Sequence, residues 1–394
     1  MTINKLFCGQ TLTSIRHIIG VIPKSHDINS WFGSADIYRF HKARIGIRHA
    51  VDLLQLKTDD EVLAPAYHCG SEIDALLKSG VKVTLYEVDR NCNFNIPDIK
   101  NRITAKTKAI YITHFFGFPQ DVVKVKQLCE RNKLYLIEDC AMSLFSCNGT
   151  EIIGSMGDIA VFSFAKTLPV PDGGLLVINN AALGKLSIEM QQPPLSISIR
   201  RLLPFIKSNL LIFLSRNTLL HPFYSILFNI LNSHRIAMAE KELHIPDKSM
   251  MSDDLYYNNA HSKFAMSHFT NRMLNAFEPD KIKLIRRRNY CLLADILHNQ
   301  KKLSILHPEL PDGVCPLNFP IITENRDSVR LELYKRGIDA DAFGKCYHKN
   351  YSLDDYPDSN YLKNHILSLP IHQNLDAENI RYIADNLINI LGRF

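Results

Sequence analysis

The fold of this chain is decided by residues 134–178, which read LYLIEDCAMSLFSCNGTEIIGSMGDIAVFSFAKTLPVPDGGLLVI. Three apolar runs within this stretch, at 134–137, 159–164 and 175–178, have the length and composition of buried strands. Further runs of this kind occur upstream, at 61–66, 81–88 and 109–113. Helix-like stretches separate several of the runs, such as 47–56, 71–77 and 120–132. This alternation predicts an α/β fold, with a mostly parallel sheet flanked by helices.

The C-terminal third has a different pattern. A basic helical stretch at 280–298 contains Arg286-Arg287-Arg288, and it is followed by a strand-like run at 316–322 and helical stretches at 328–336 and 377–391. A chain of 394 residues also exceeds what one hydrophobic core usually supports. We therefore expect a large α/β domain at 1–250 and a small C-terminal α+β domain at 251–394.

Composition limits the classes of function. Hydrophobic residues make up 46% of the chain, as in an ordinary globular enzyme, and the net charge of +6 does not favour nucleic-acid binding. The nine cysteines are scattered and form no CxxC pair, so neither disulfides nor a metal site is expected. The N-terminus lacks the unbroken apolar region of a signal peptide. These features predict a cytoplasmic protein.

Lys166 lies just beyond the end of a predicted strand, where ligands bind in open α/β sheets. A lysine there can form an imine with an aldehyde cofactor, provided that its surroundings make the amine nucleophilic. Ser163 can donate to a phosphate, and Asp139 can hold a pyridine ring in its protonated form. Each residue alone has an ordinary alternative: a surface lysine, a hydroxyl bonded to a carbonyl group, and a helix-capping aspartate. Together they indicate pyridoxal 5'-phosphate (PLP) chemistry.

Gly46 is a weaker candidate, because a single glycine before a helix-like run is common. We predict that a helix begins after it, so that the backbone N–H groups of Ile47 and Arg48 bind the cofactor phosphate. The Arg48 side chain either adds its charge to this site or points to solvent.

Several motifs, in a fixed order, resemble one enzyme family. They are Asp60-Glu61-Val62-Leu63-Ala64-Pro65, Thr107-Lys108-Ala109-Ile110 with His114 and Gly117, Ile137-Glu138-Asp139-Cys140-Ala141, Gly154-Ser155-Met156-Gly157-Asp158-Ile159, Phe162-Ser163-Phe164, Gly173-Gly174, Arg336-Gly337-Ile338 and Leu367-Ser368-Leu369-Pro370. From about Gly46 to the C-terminus, the chain resembles the DegT/StrS family of PLP-dependent sugar aminotransferases. The resemblance implies the aspartate aminotransferase fold, known as fold type I.

The resemblance also implies roles for individual residues. Lys166 would be both the imine lysine and the base that moves a proton at the substrate carbon. Asp139 would pair with the pyridine nitrogen, and Ser163 would contact the phosphate. The implied reaction transfers an amino group, usually from glutamate, to a keto group on a nucleotide-linked sugar. The implied assembly is a homodimer, in which each partner chain completes the other's active site.

The chain departs from the family pattern around the cofactor. Lys166 follows Ser163 by three residues, two fewer than in most members, although the distance from the lysine to the glycine pair is kept. Met142 stands where the family has a glutamine that contacts the phenolic oxygen of the cofactor, and Ser143 is the candidate to replace that contact. The aromatic residue that stacks on the cofactor ring falls near 67–69, where His68 is our candidate. The alternative for His68 is a structural histidine at the end of a strand.

Residues 200–235 form an apolar helical insertion with no ready counterpart in the family. Apolar residues fall on one helical face in each of its halves: Leu203, Ile206, Leu210 and Phe213, then Phe223, Ile226, Leu227 and Ile230. Charged residues and Pro222 interrupt it too often for a membrane span. Three interpretations stay open: core packing, a lid over the active site, or contact with a membrane surface through its basic residues. We rank packing or a lid first, because apolar helical faces are usually core.

Two functional classes fit these observations. The first is an active aminotransferase that makes an amino sugar, for example in polysaccharide biosynthesis. The second is a non-catalytic relative with a regulatory or assembly role, which Met142 and the altered phosphate turn favour. We predict the first class, because Lys166, Asp139 and Ser163 occur together.

Overall fold

A mostly parallel sheet lies at the centre of the N-terminal half. The computed structural model describes residues 28–33, 35–216, 256–345 and 348–393, together with scattered helical positions between 222 and 240. The strands that it places before residue 179 are β1 (Asp36–Phe40), β2 (Glu61–Pro65), β3 (Lys82–Tyr86), β4 (Thr107–Thr113), β5 (Tyr135–Asp139), β6 (Cys147–Asn148), β7 (Glu151–Ile152), β8 (Ile159–Ser163) and β9 (Gly174–Ile178). Seven of these described strands form the sheet, in the order β1-β9-β8-β5-β4-β2-β3, and β6 and β7 form a separate hairpin.

The strand ends that matter for function meet at one end of this sheet. β4, β5 and β8 run parallel to one another, and Thr113 of β4 lies opposite Asp139 of β5. β9 returns antiparallel to β8, so that Gly174 at its start lies opposite Ser163 at the end of β8. The predicted α/β fold with a mostly parallel sheet is confirmed.

The helices of this half flank the sheet. They are α1 (Ala43–Leu53), α2 (Ser71–Leu77), α3 (Ile96–Arg102), α4 (Val122–Asn132), α5 (Phe164–Thr167) and α6 (Leu195–Arg216). α1 begins at Ala43. The backbone of its N-cap residue, Lys42, is extended, and the helical conformation starts at the next residue and continues to Leu53. The prediction that this helix begins after Gly46 is therefore wrong. Gly46 lies inside the helix, where it packs close to Phe40 and Leu176.

Successive side chains of a strand point to opposite faces of the sheet, and both faces are covered by apolar residues. In β4, Ala109 and Tyr111 belong to one buried cluster, and Ile110 and Ile112 belong to another. Residues of α1 and α2 pack in the first cluster, and residues of α4 and of the C-terminal helices pack in the second. The sheet is thus buried between two helical layers, as expected for parallel strands.

The C-terminal part combines helices with a small antiparallel sheet. Its elements are α7 (His268–Leu274), α8 (Pro279–Leu297), β10 (Ser304–Ile305), β11 (Phe319–Ile322), α9 (Arg326–Lys335), α10 (Pro357–His365), β12 (Ile366–Leu369) and α11 (Ala377–Leu391). The three strands pair in the order β10-β11-β12. α11 begins with a capping box, in which Asp376 and Asn379 each accept a hydrogen bond from the other's backbone N–H. This is the expected α+β arrangement, and the boundary at residue 250 stays a prediction.

α6 presents an apolar face to solvent. Four of its side chains are exposed by 63%, 44%, 53% and 46%: Leu195, Ile199, Leu203 and Ile206. We call these four residues the α6 stripe. Ser198 and Leu202, on the neighbouring face, are buried. α6 therefore attaches to the protein through one face and leaves an adjoining apolar face uncovered.

The interpretation of the insertion as core is wrong for the residues that the structure describes on that face. Leu203 and Ile206 are exposed, and so are Phe223, Ile226 and Ile230 farther along the insertion. The side chains of Leu210, Phe213 and Leu227 lie outside the described residues. In the described part of the chain, no helix has the length and apolar character needed to span a membrane.

Candidate active site

A cavity of about 270 Å³ lies at the carboxyl ends of β4, β5 and β8. The last residues of these three strands, Thr113, Asp139 and Ser163, line it, and so does Lys166 of α5. The structure therefore brings together three residues that the sequence predicted for one site: Asp139, Ser163 and Lys166. Their position agrees with the rule that ligands bind beyond the carboxyl ends of strands in an open sheet.

Asp139 is a buried carboxylate with two fixed hydrogen bonds. The Tyr111 hydroxyl donates to its Oδ2 at 2.7 Å, and the Ala141 backbone N–H donates to its Oδ1 at 2.8 Å. Burial raises the pKa of Asp139, and the positive charge of Lys166 opposes that rise. A cation beside Asp139 would lower the pKa of its carboxyl group and favour the ionised form. The carboxylate would in turn stabilise the cation.

Side chains of the C-terminal part hold the segment that carries Lys166. The carbonyl oxygen of Thr167 accepts hydrogen bonds from Arg286 at 3.2 Å and from Gln373 at 3.1 Å. Arg286 is 1% exposed, and it also donates to Gln373 Oε1 and to the carbonyl groups of residues 316 and 317. Burial lowers the pKa of Arg286 to about 10. These bonds fix the carbonyl group that follows the lysine.

The first turn of α1 forms another wall of the cavity. Lys42, Ala43 and Arg44 line it, together with Ile47. The first N–H groups of a helix have no partner within the helix, and the helix dipole favours an anion beside them. With Lys42 and Arg44 in the same turn, this wall suits a phosphate group.

Gly174 allows this turn to approach the sheet. A Cβ atom at Gly174 would lie 2.3 Å from Ala43 N and 2.3 Å from the Lys42 carbonyl carbon, which is closer than real Cβ contacts come. Both atoms belong to the backbone, which cannot rotate away as a side chain can. The glycine thus sets the distance between the start of α1 and the start of β9.

His41 and Asp172 form a buried pair on the cavity wall. His41 Nδ1 lies 3.4 Å from Asp172 Oδ2, and neither of these atoms has a hydrogen-bond partner among the described residues. The other carboxylate oxygen of Asp172 accepts a hydrogen bond from Ser267 N at 3.1 Å. The Thr113 hydroxyl, also on the cavity wall, is buried and likewise without a partner in the described residues. These buried polar atoms are available to a ligand in the cavity.

Cys69 and Glu72 supply an acidic side of the cavity. The Cys69 thiol donates to Glu72 Oε2 at 2.8 Å, and the Cys69 backbone N–H donates to Glu72 Oε1 at 3.0 Å. Burial raises the pKa of Cys69 to about 12, so the thiol stays protonated. The cavity wall carries side chains of both charges. Glu72 and Asp139 are acidic, and Lys42, Arg44, Lys166 and Arg201 are basic.

Most of this site lies within a region that matches one protein family. Residues 43–197 match the DegT/DnrJ/EryC1/StrS aminotransferase family. The match covers less than half of the chain. The match includes α1, the strands that end at the cavity, and Lys166.

Proteins of similar sequence include GDP-perosamine synthase from Vibrio cholerae. It is 29% identical over 139 residues, which are 34% of this chain and 38% of the relative. The match thus spans about two fifths of that relative. A longer match, of 350 residues at 25% identity, joins 85% of the chain to 79% of dTDP-4-dehydro-2,3,6-trideoxy-D-glucose 4-aminotransferase from Saccharopolyspora spinosa.

A solved member of the aminotransferase group has a similar fold. Aminotransferase TlmJ from Streptoalloteichus hindustanus matches with a TM-score of 0.69, covering 99% of each chain at 18% sequence identity. At this identity, the similarity concerns the fold alone. It agrees with the α/β fold described above.

Some of the predicted cofactor residues lie elsewhere than expected. Gly46 and Arg48 are not part of the described cavity wall, since α1 begins before them and Arg48 binds Asp52 one turn farther on. Ile47 does line the cavity. His68 is buried outside the cavity wall, and burial lowers its pKa to about 4, so the ring is neutral at pH 7. Its neighbour Cys69 occupies the wall at the position predicted for a stacking residue.

Met142 and Ser143, which were considered for a contact with the phenolic oxygen of the cofactor, lie in different places. Met142 lines the cavity, as its place in the family pattern suggested. The Ser143 hydroxyl instead donates to the His114 carbonyl oxygen at 2.9 Å, away from the described cavity wall. Ser143 is therefore unsuited to replace the contact that a glutamine would make.

Sequence reasoning missed several residues of the cavity wall: His41, Lys42, Ala43, Arg44, Cys69, Glu72, Asp172 and Arg201. Most of them carry charged or polar side chains that have no distinctive spacing in the sequence. One signal was available for Asp172, which directly precedes the glycine pair. The extended residue before α1 had no sequence signal, because Lys42 is not a typical helix-capping residue.

Proposed function

We propose that this protein is a PLP-dependent aminotransferase that transfers an amino group, from glutamate, to a keto group on a nucleotide-linked sugar. The observation that carries the proposal is the meeting of Lys166, Asp139 and Ser163 in one cavity with the first turn of α1. A lysine, a buried carboxylate and a phosphate-binding wall are the three groups that a PLP site requires. The cytoplasmic location and the homodimer are part of the same proposal.

The cavity fits a phosphorylated pyridine aldehyde. Ser163 and the first turn of α1, rather than Gly46 and Arg48, would hold the phosphate, and Ile47 would contribute only an apolar contact. Asp139 would face the ring nitrogen, and Met142 and Cys69 would border the ring. When bound, PLP supplies a ring that takes up the electrons released as a proton leaves the substrate carbon.

The chain's own residues do the remaining work. Lys166 Nζ would hold the cofactor aldehyde and, once the substrate amine has displaced it, would move a proton to and from the substrate carbon. Asp139, held by Tyr111 and Ala141, would favour a positive charge on the ring nitrogen. Arg286 and Gln373 hold the Thr167 carbonyl group, which keeps the lysine segment in place. These two are positioning residues.

The names of the relatives support the substrate class. The relatives include a GDP-perosamine synthase and an aminotransferase named for a dTDP-linked keto-sugar. The product would be an amino sugar of the kind used in polysaccharide biosynthesis. Glutamate is proposed as donor because the family resemblance implies it.

The decisive test is the visible absorbance of the purified protein after PLP is added. The wild type should show a band that borohydride removes, and Lys166→Ala should show none. Lys185→Ala is a matched control, since Lys185 is exposed and outside the cavity wall, and it should keep the band. A wild-type protein that binds PLP without a reducible band contradicts the proposal.

A second candidate function is that of a non-catalytic relative that keeps the fold. The observation in its favour is that Met142 and Cys69 border the cavity at the positions where the family pattern has a polar amide and an aromatic ring. The two candidates separate when glutamate is added to the PLP-loaded protein. An aminotransferase exchanges the visible band for one at shorter wavelength as the amino group moves to the cofactor, whereas a non-catalytic protein keeps the original band.

A further inference from the structure

The α6 stripe is a continuous apolar surface on the outside of the protein. At 100° per residue, Leu195, Ile199, Leu203 and Ile206 fall within an arc of about 80° around the helix. The buried residues Ser198 and Leu202 lie on the adjoining arc and attach α6 to the protein. Phe223, Ile226 and Ile230 repeat the pattern, since they fall within about 60° and are 66%, 61% and 62% exposed.

The segment that bears these residues has an unusual charge. Residues 190–239 contain no aspartate or glutamate, and they contain five basic residues: Arg200, Arg201, Lys207, Arg216 and Arg235. Their net charge is +5, and that of the whole chain is +6. The excess positive charge of the protein is thus concentrated in the segment that carries the exposed apolar face.

Two of these cations lie beside the stripe. Arg200 and Lys207 are exposed, and at 100° per residue they fall about 40–60° beyond one edge of its arc. An apolar arc bordered by basic side chains is typical of a helix that lies in the surface of a bilayer, with the cations at the headgroups. α6 lacks the apolar character that a membrane-spanning helix needs.

A second copy of this chain suits the surface less well. A two-fold interface brings the same patch of both subunits together. Two segments of charge +5 would then meet, with Arg200 and Lys207 of each copy close to those of the other. Like charges at such a contact oppose association, whereas anionic lipid headgroups complement them.

We propose that the α6 stripe, together with Phe223, Ile226 and Ile230, docks the protein onto an anionic lipid surface. The apolar side chains enter the boundary between headgroups and acyl chains, and Arg200 and Lys207 contact the phosphate groups. Arg201 of the same helix lines the cavity, so this docking brings the active-site cavity close to the bilayer. The proposal is independent of the chemistry in the cavity.

Vesicle flotation of the full-length protein tests this docking. The wild type should float with vesicles of phosphatidylcholine and phosphatidylglycerol, and binding to phosphatidylcholine alone should be much weaker. Added salt should reduce the binding, because it screens the headgroup charge. The double variant Arg200→Gln/Lys207→Gln should bind the anionic vesicles about 25-fold more weakly, at about fivefold for each cation.

A matched pair of variants separates the stripe from general surface hydrophobicity. Leu203→Glu should abolish flotation, whereas Leu284→Glu should not, although Leu284 of α8 is 69% exposed and therefore no less accessible. Circular dichroism checks that both variants are folded, and the PLP absorbance band should be unchanged in both.

Three results would overturn the proposal. One is equal flotation of the two glutamate variants, and another is equal binding of the wild type to neutral and anionic vesicles. The third is a wild type that does not float while Leu203→Glu lowers the molecular mass measured by light scattering. That outcome would assign the stripe to an interface between copies of this chain. Loss of the PLP band in the wild type would overturn the proposed function without affecting this test.

Discussion

The cavity wall and the α6 stripe are neighbouring surfaces that use their side chains in opposite ways. In the cavity and directly behind it, buried polar groups such as Asp139 and the Thr167 carbonyl are held by several hydrogen bonds. On the stripe, exposed apolar side chains such as Leu203 contribute nothing to the core. From this difference we expect that a change in the cavity wall affects the chemistry, the stability or both, whereas a change in the stripe affects neither.

The largest effect is expected at the reacting amine. Lys166→Ala should lower the rate of amino transfer by at least about 10⁴-fold, because both covalent binding and proton transfer depend on Nζ. Its melting temperature should stay close to that of the wild type, since Lys166 is exposed within the cavity. Single-turnover kinetics with glutamate measures the rate, and Lys185→Ala should match the wild type. If Lys166→Ala kept near-normal turnover, a change in the cavity wall would affect chemistry no more than a change in the α6 stripe, which contradicts the comparison.

The next effect concerns the distance between α1 and the sheet. Gly174→Ala should lower the free energy of unfolding by about 4 kcal/mol, because the new Cβ meets rigid backbone. The control is Gly46→Ala in α1, where a Cβ would meet side chains at 3.5–3.7 Å, an ordinary contact distance. That variant should be neutral or more stable by about 0.5 kcal/mol. Urea unfolding measures both, and equal losses in the two variants would contradict the prediction.

The third effect concerns the side chain that holds the lysine segment. Arg286→Leu should cost about 3 kcal/mol, because it leaves buried carbonyl oxygens, including that of Thr167, without this donor. It should also weaken PLP binding. Arg288→Leu changes an exposed arginine in the same helix, and it should cost less than about 1 kcal/mol. If PLP affinity is unchanged in Arg286→Leu, the arginine stabilises the fold without positioning the lysine.

The fourth effect is a pH dependence of stability. Burial lowers the pKa of His68 to about 4, so below about pH 6.5 the unfolded chain binds a proton that the folded chain does not. The free energy of unfolding should therefore fall as the pH decreases from about 6.5 to 4, by about 2 kcal/mol at pH 5 from His68 alone. His307, whose pKa burial also lowers to about 4, should add a similar loss.

Urea unfolding between pH 4 and pH 7 checks this contribution. His68→Gln should remove about half of the loss due to the two histidines, because its side chain does not titrate. His298→Gln, which changes an exposed histidine, is the matched control for the substitution itself. An unaltered slope in His68→Gln would show that the ring is protonated in the folded protein.

The smallest effect is expected on the stripe. Leu203→Ser should change the free energy of unfolding by less than about 0.5 kcal/mol, since the side chain is 53% exposed. Leu202→Ser, at the adjacent buried position, should cost about 3 kcal/mol. Thermal unfolding of this pair tests whether the two faces of α6 differ in packing. Similar losses in both variants would show that the stripe is packed.

The strands and the residues at their ends were well predicted by the sequence. Apolar runs bounded by polar residues mark buried strands, and ligands bind at the ends of such strands. For this reason the sequence alone was enough to assign Asp139, Ser163 and Lys166 to one site. The start of α1 was beyond prediction, because Lys42 gives no capping signal and Gly46 suggested a helix start although it is an interior residue in contact with the sheet.

Contacts between distant parts of the chain were also beyond prediction. The hydrogen bonds from Arg286 and Gln373 to Thr167 join residues that are 119 and 206 positions apart. No local pattern distinguishes Arg286 from its neighbours Arg287 and Arg288. For the insertion, periodicity revealed an apolar face but not its surroundings, because a helix packed in a core and one on a membrane surface have similar patterns.

The bonds to Thr167 have a consequence for how the chain is made. A ribosome releases the large sheet and Lys166 well before Arg286 and Gln373. Domains generally fold in the order in which they are synthesised. The lysine segment therefore acquires its final hydrogen bonds only when most of the C-terminal part has been made. Completion of the active site is thus coupled to synthesis of the C-terminal part.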